Sequence, residues 1–162
     1  DMNAIETATK METEAIKFYS EAADKTSHPV GKKMFLTIVE DEKRHLQMLS
    51  DLLKGLDLKL QDVSPLKSIK TIFEEKKEEM MQRVTASQDE LEAFKVAMDM
   101  EKEGKEFYLK HGPTLSSEVE KRLFETLARE EEEHFRVFSN TYHFLKDTGN
   151  WFMWEERSIV EG

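Results

Sequence analysis

The sequence predicts an all-α protein, a bundle of four helices made of two repeated helical hairpins that are joined by a long crossover. Three observations lead to this fold class. The 162 residues include only 6 Gly and 3 Pro, and the chain is rich in helix-favouring Glu, Lys, Leu and Met. A gapless internal repeat spans most of the chain. Apolar residues recur at alternating steps of three and four, the spacing of a buried helix face.

The repeat relates residues 1–54 to residues 90–143 at an offset of 89. Of the 54 aligned pairs, 15 are identical, where composition alone would give roughly 4. Because the match runs through a turn without a gap, each copy is a complete helical hairpin. The identical pairs include Met11-Glu12 with Met100-Glu101, Phe18-Tyr19 with Phe107-Tyr108, Phe35 with Phe124, Glu42 with Glu131, and His45 with His134.

The first hairpin consists of helices predicted near Met2–Lys25 and Pro29–Leu53. Ser27 or His28 is expected to cap the second of these helices. Pro29 fits the first turn of that helix, where a missing backbone N–H costs nothing.

The second hairpin begins and ends with equally clear signals. Ser87 opens a third helix near Gln88–His111 with a serine–glutamate capping box, and Gly112-Pro113 stops it. Ser117 opens a fourth helix with the same motif, and this helix is expected to run to about Asp147.

The rest of the chain connects the hairpins or follows them. The predicted bundle covers 1–147, with hairpins at 2–53 and 88–147 and a crossover at 55–87 that is expected to contain a helix. One long crossover distinguishes this topology from a simple up-down bundle. Residues 148–162 form a tail with a short helical segment. Its Trp151–Trp154 cluster is expected to cover the end of the bundle, with a dimer contact as the alternative.

Each buried helix face is apolar except near its middle. Glu12 and Glu42 lie about 14 residues on either side of the first turn, roughly 21 Å at the helical rise, so they are expected to face each other. The second hairpin repeats this separation. One layer of the core therefore collects four carboxylates and two imidazoles, from Glu12, Glu42, His45, Glu101, Glu131 and His134.

The negative charge of such a layer has to be neutralised, because each unpaired buried carboxylate costs several kcal/mol of folding free energy. The carboxylates could take up protons, or two divalent cations could neutralise them. Mixed oxygen and imidazole ligands suit iron, manganese or zinc better than calcium or magnesium. We therefore predict that the six residues bind two metal ions and carry any chemistry of the site.

Other residues near the layer are assigned lesser roles. Tyr19 and Tyr108 lie two turns from Glu12 and Glu101 on the same faces, and their hydroxyls are expected to orient ligand carboxylates. The alternative is that they are ordinary core tyrosines. Five other glutamates are interpreted as part of the solvated exterior: Glu14, Glu103, Glu130, Glu132 and Glu133.

Composition excludes several classes of function. A net charge of −10 argues against nucleic-acid binding. With no Cys, disulfides, zinc ribbons and iron–sulfur clusters are excluded within this sequence. No apolar run reaches the length of a membrane span. We expect a soluble, cytoplasmic protein.

The motifs resemble those of the rubrerythrin-like branch of the ferritin-like di-iron proteins. They are Met11–Ala15 with Phe18-Tyr19, Glu42–His45, Met100–Gly104 with Phe107-Tyr108, and Glu131–His134. The resemblance covers all four helices. It implies that Glu42 and Glu131 bridge two irons, that Glu12 and Glu101 are terminal ligands, and that His45 and His134 each complete one iron. It also implies that the diferrous centre reacts with hydrogen peroxide or dioxygen.

Two features depart from that family. Rubrerythrins carry a four-cysteine rubredoxin-like module that supplies electrons, so a separate electron-donor protein is expected here. They also place an additional carboxylate on the third helix, where this chain has Gly104. Manganese or a mixed iron–manganese centre fits the same ligands, and a homodimer is the expected assembly. A ferroxidase or iron-handling protein, and a non-enzymatic metal-stabilised bundle, are the alternatives.

Overall fold

A computed structural model of the protein describes residues 2–55 and 87–146. These ranges contain four long α-helices and one short 3-10 helix, and no helix among them is long and apolar enough to cross a membrane. The predicted all-α, ferritin-like architecture is confirmed. Its elements are α1 (Met2–Lys25), α2 (Pro29–Leu53), α3 (Gln88–His111), the 3-10 helix Gly112–Thr114, and α4 (Glu118–Lys146).

The helix ends follow the capping signals in the sequence. His28 caps α2, with its Nδ1 accepting from the Val30 amide at 3.3 Å. Ser87 caps α3 with a complete capping box. Ser117 lies just before α4, and its Oγ accepts from the Glu120 amide at 3.1 Å. Residues 56–86 of the predicted crossover and the Trp151–Trp154 cluster lie outside the described residues.

The two hairpins pack side by side. Within them, α1 pairs with α2 and α3 pairs with α4. Between them, α1 lies against α3 and α2 against α4. All four helices therefore reach a common core, which is where a site assembled from their midpoints has to form.

The core consists of two apolar clusters at different heights in the bundle. The first includes Phe35, Phe94 and Phe138, near the α1–α2 turn. The second includes Leu49 and Phe124, towards the other end of the bundle. The polar residues near the helix midpoints lie between the clusters, so they are enclosed from above and below.

Candidate metal centre

The structure brings all six residues of the predicted layer together. Each comes from the middle of its helix, and none is more than 3% exposed. They form two overlapping groups whose ligand atoms all lie within 4.8 Å of one another. One group is Glu12, Glu42, His45 and Glu131, and the other is Glu42, Glu101, Glu131 and His134.

Two carboxylates, those of Glu42 and Glu131, belong to both groups. Oε1 of Glu131 lies 3.6 Å from Nδ1 of His45, and its Oε2 lies 3.7 Å from Nδ1 of His134. Glu12 and Glu101 each serve one group, with an oxygen 3.4 Å from Nδ1 of His45 and of His134, respectively. An ion bonded to ligands at about 2.1 Å holds neighbouring ligand atoms roughly 3 Å apart, so these separations fit two adjacent cation positions.

Five buried ligand atoms in this layer have no hydrogen-bond partner among the described residues. They are Glu12 Oε2, Glu42 Oε1, Glu101 Oε2, His45 Nδ1 and His134 Nδ1. His134 Nδ1 lies 2.9 Å from Glu42 Oε1, close enough for one cation to contact both atoms. Buried polar atoms are normally paired. A cluster of unpaired acceptors facing one another is what a bound cation would satisfy, so the residues fit a metal centre.

The charges of the layer favour added positive charge. Burial raises the pKa of Glu42 well above its usual value, and the charges of Glu101 and Glu12 raise it further. Burial alone would lower the pKa values of the two histidines. The carboxylates, Glu12 at His45 and Glu101 at His134, outweigh it and raise both values well above the usual range. The site therefore draws in either protons or metal cations.

Two tyrosines, one from each apolar cluster, form hydrogen bonds with carboxylates of the layer. Tyr19 on α1 donates to Oε1 of Glu101 on α3 at 2.8 Å. Tyr108 on α3 donates to Oε1 of Glu12 on α1 at 2.7 Å. Both hydroxyls contact carboxylates of the layer, and each contact runs from one hairpin to the other.

Two further carboxylates hold the outer nitrogens of the histidines, and sequence reasoning missed both. Nε2 of His134 lies 2.6 Å from Oδ2 of Asp41, and Nε2 of His45 lies 2.9 Å from Oε1 of Glu130. An ionised carboxylate can only accept, so each Nε2 carries the proton. When the ring is neutral, as it must be to bind a metal, each Nδ1 therefore keeps its lone pair towards the centre.

Glu130 corrects the sequence interpretation, which placed it on the exterior. It is 3% exposed, because its helix face turns towards α2 and His45. Arg44 bridges Glu130 and Asp41 with charged hydrogen bonds, which offsets the cost of burying two more carboxylates. Glu132 is partly exposed and pairs with Lys105 at 3.0 Å.

The shared offset was a signal that could have found these two residues. Asp41 and Glu130 are themselves 89 residues apart, and each precedes its helix's histidine by four. Arg44 had no such signal, because its repeat equivalent is Glu133. Burial, followed by the charge of Glu130, raises the pKa of Glu133 above its usual value.

A cavity of about 270 Å³ reaches the layer between α1 and α3. Glu12, Glu42, Glu101 and Glu131 line it, together with Gly104. A Cβ at Gly104 would lie 3.5 Å from Cδ of Glu131. The missing side chain leaves the carboxylate of Glu131 bordering the cavity.

Comparison with known proteins gives one family. The model of the rubrerythrin family matches residues 3–142, which include all six residues of the layer. No curated protein and no solved structure matches the chain.

Proposed function

The chain belongs to the rubrerythrin family, and we propose that it is a di-iron oxidoreductase that reduces hydrogen peroxide, or dioxygen, with electrons from a separate donor protein. The observation that carries the proposal is the pair of buried four-residue groups that share Glu42 and Glu131. In this proposal those two residues bridge the metal ions. Glu12 with His45, and Glu101 with His134, complete the two positions.

Two ferrous ions bound there would supply the two electrons that, with two protons, convert one hydrogen peroxide into two waters. The chain's own contribution is the environment. Apolar clusters cover the layer at its two ends, and the hydroxyls of Tyr19 and Tyr108 fix two carboxylates in place. The cavity beside Gly104 leaves room for a small oxidant next to the ligands.

In this proposal, the electrons come from a donor outside these 162 residues. The sequence contains no Cys, so it holds no four-cysteine iron site. A separate donor protein is therefore part of the proposal, and iron, manganese or a mixed pair would fit the same ligands.

Anaerobic titration with Fe²⁺ tests the metal centre, and stopped-flow mixing with peroxide tests the chemistry. We expect close to two irons per chain, followed by rapid oxidation of both with one equivalent of peroxide. Glu131→Ala should reduce iron binding sharply, whereas Glu132→Ala, which changes the partly exposed neighbour, should not. Failure to bind near two irons per chain would end the proposal.

Gly104 is the observation behind a second candidate, a ferroxidase or iron-handling protein. The rubrerythrin resemblance calls for a carboxylate at this position, and glycine cannot supply one. Faster oxidation of the loaded protein by dioxygen than by peroxide, with repeated turnover of added Fe²⁺, would favour the second candidate. A bundle that only uses metal for stability would consume neither oxidant.

A further inference from the structure

The cavity between α1 and α3 has a lining of one charge sign. Its polar groups are six glutamates and the hydroxyl of Tyr19, and no Lys, Arg or His of the described residues lines it. Four of the glutamates are the buried ones of the layer. The other two, Glu14 and Glu103, are exposed and related by the 89-residue offset. The carboxylates thus run from solvent to the interior of the bundle.

The inner end of this cavity is lined by residues with unpaired carboxylate oxygens, which a cation would satisfy. Glu12 Oε2, Glu42 Oε1 and Glu101 Oε2 are buried without a hydrogen-bond partner in the described part of the chain, and all three residues line the cavity. A cation that moved inward would exchange water for these oxygens. A neutral oxidant gains little from a ring of negative charge, and an anion would be repelled.

Small residues keep the passage open. Gly104 and Ala15 occupy equivalent positions in the two repeats, and both line the cavity. A side chain larger than a methyl group at position 104 would project towards the carboxylate of Glu131, since even a Cβ would lie 3.6 Å from its Oε2.

We propose that this cavity is the route by which a hydrated divalent cation reaches the centre, and that Glu14 and Glu103 are its first protein ligands. The inference rests on the proposed metal centre. It adds two residues that act during loading and are not part of the final ligand set. Clefts lined by one charge sign raise association rates of oppositely charged ligands by about 10- to 1,000-fold.

The test is the rate of Co²⁺ uptake by the metal-free, full-length protein, followed by visible absorption in a stopped-flow instrument at low salt. Glu14→Gln with Glu103→Gln should slow uptake by about 10- to 30-fold, at the lower end of the range of electrostatic steering, with two ions per chain still bound at equilibrium. Glu6→Gln with Glu125→Gln is the matched control, because both residues are exposed, neither lines the cavity, and the change in net charge is the same.

A second variant tests the passage without changing charge. Gly104→Met should also slow uptake, and circular dichroism should show an unchanged helix content. If the Glu14, Glu103 double variant loads as fast as the control while both bind two ions, the route is wrong and the metal centre stands. A final stoichiometry of one ion in the double variant would also refute the loading role. If the unaltered protein binds no Co²⁺ and no Fe²⁺, the route and the metal centre both fail.

Discussion

Imidazole binds a metal through the ring nitrogen that carries no proton, so the acceptor at the other nitrogen decides which way the ring is presented. In this protein that acceptor comes from the opposite hairpin. Asp41 on α2 contacts His134 on α4, and Glu130 on α4 contacts His45 on α2. Each metal position therefore depends on a residue of the other repeat.

Because each histidine is held by a carboxylate of the other hairpin, a mutation of that carboxylate should weaken the metal position of the histidine it contacts. Asp41→Asn should lower metal affinity about 10- to 100-fold, the usual cost of losing such a support, and should do so at the position of His134. The measurement is a double-mutant cycle with Co²⁺ titration. Asp41→Asn should have its full effect in the His45→Ala background and little effect in the His134→Ala background.

Nε2 of His45 also lies near Asp41, at 3.6 Å, so the cycle discriminates between two contacts. Equal effects in both backgrounds would show that Asp41 acts through the general charge of the site. Asp51→Asn, on the exposed side of the same helix near Gln47, serves as the control.

A second residue-scale prediction concerns the tyrosines. Tyr108→Phe removes the hydroxyl that donates to Glu12 at 2.7 Å, so Co²⁺ affinity should fall by roughly tenfold or more while the fold is retained. Tyr142→Phe is the control, because the Tyr142 ring packs beside Lys95 and Lys146 at the end of the bundle. Equal affinities in the two variants would show that Tyr108 serves only as core packing.

The six ligand candidates were predictable because each one interrupts an apolar face, and the repeat marks them twice. Asp41 and Glu130 were not, because they lie beside those faces. Whether such a carboxylate points to water or to a histidine depends on the neighbouring helix. Arg44, which contacts both, has an acidic residue as its repeat equivalent.

At the scale of elements, Glu90 joins the two hairpins at one end of the bundle. It lies in the first turn of α3, inside the capping box of Ser87. Its Oε1 also accepts from the amide and hydroxyl of Ser27, in the α1–α2 turn, at 2.8 and 2.6 Å. Burial alone would raise the pKa of Glu90, but the hydrogen bonds from Ser27 and Ser87 outweigh it and lower that pKa below its usual value.

Because the folded-state pKa of Glu90 is lowered, its contribution to stability is present above the unfolded pKa of about 4.3 and is lost as the pH falls through the folded value. Glu90→Gln should therefore cost about 1–2 kcal/mol at neutral pH and progressively less in acid. Urea unfolding of the metal-free protein at several pH values is the measurement. Glu92→Gln, at an exposed neighbour, should show no such pH-dependent difference.

The ends of the helices were predicted closely because local chemistry determines them. Ser87, Ser117 and Pro29 act within a turn of their own positions, and the structure retains each signal. The contact of Glu90 with Ser27 was not predictable, since it joins residues 63 positions apart. Nothing local to either residue points to the other.

At the scale of the whole molecule, the polar layer is a cost to the metal-free fold. Glu42 is 1% exposed and lies among other carboxylates. Glu42→Gln should therefore stabilise the metal-free protein by about 1–2 kcal/mol, since folding would no longer require a charge to be buried, or a proton to be taken up, at that position. Thermal unfolding should show a midpoint higher by a few degrees.

The same substitution should reverse its effect when metal is present. At a Co²⁺ concentration 100 times the dissociation constant, the unaltered protein gains about 2.7 kcal/mol per site, and the variant should gain much less. Glu40→Gln, at an exposed position of the same helix, is the control. A metal-free Glu42→Gln protein that melts lower than the original would contradict this account.

The reciprocal supports described above also limit how the two halves of the gene can change. If the repeat arose by duplication, the two copies could not change independently. A substitution of Asp41 or Glu130 in one copy alters the contact made by the histidine of the other copy. A single hairpin passed on by recombination would bring three ligands and leave behind the carboxylate and the phenol that hold them. Either hairpin alone would therefore lack part of the hydrogen bonding that holds its own side chains in place.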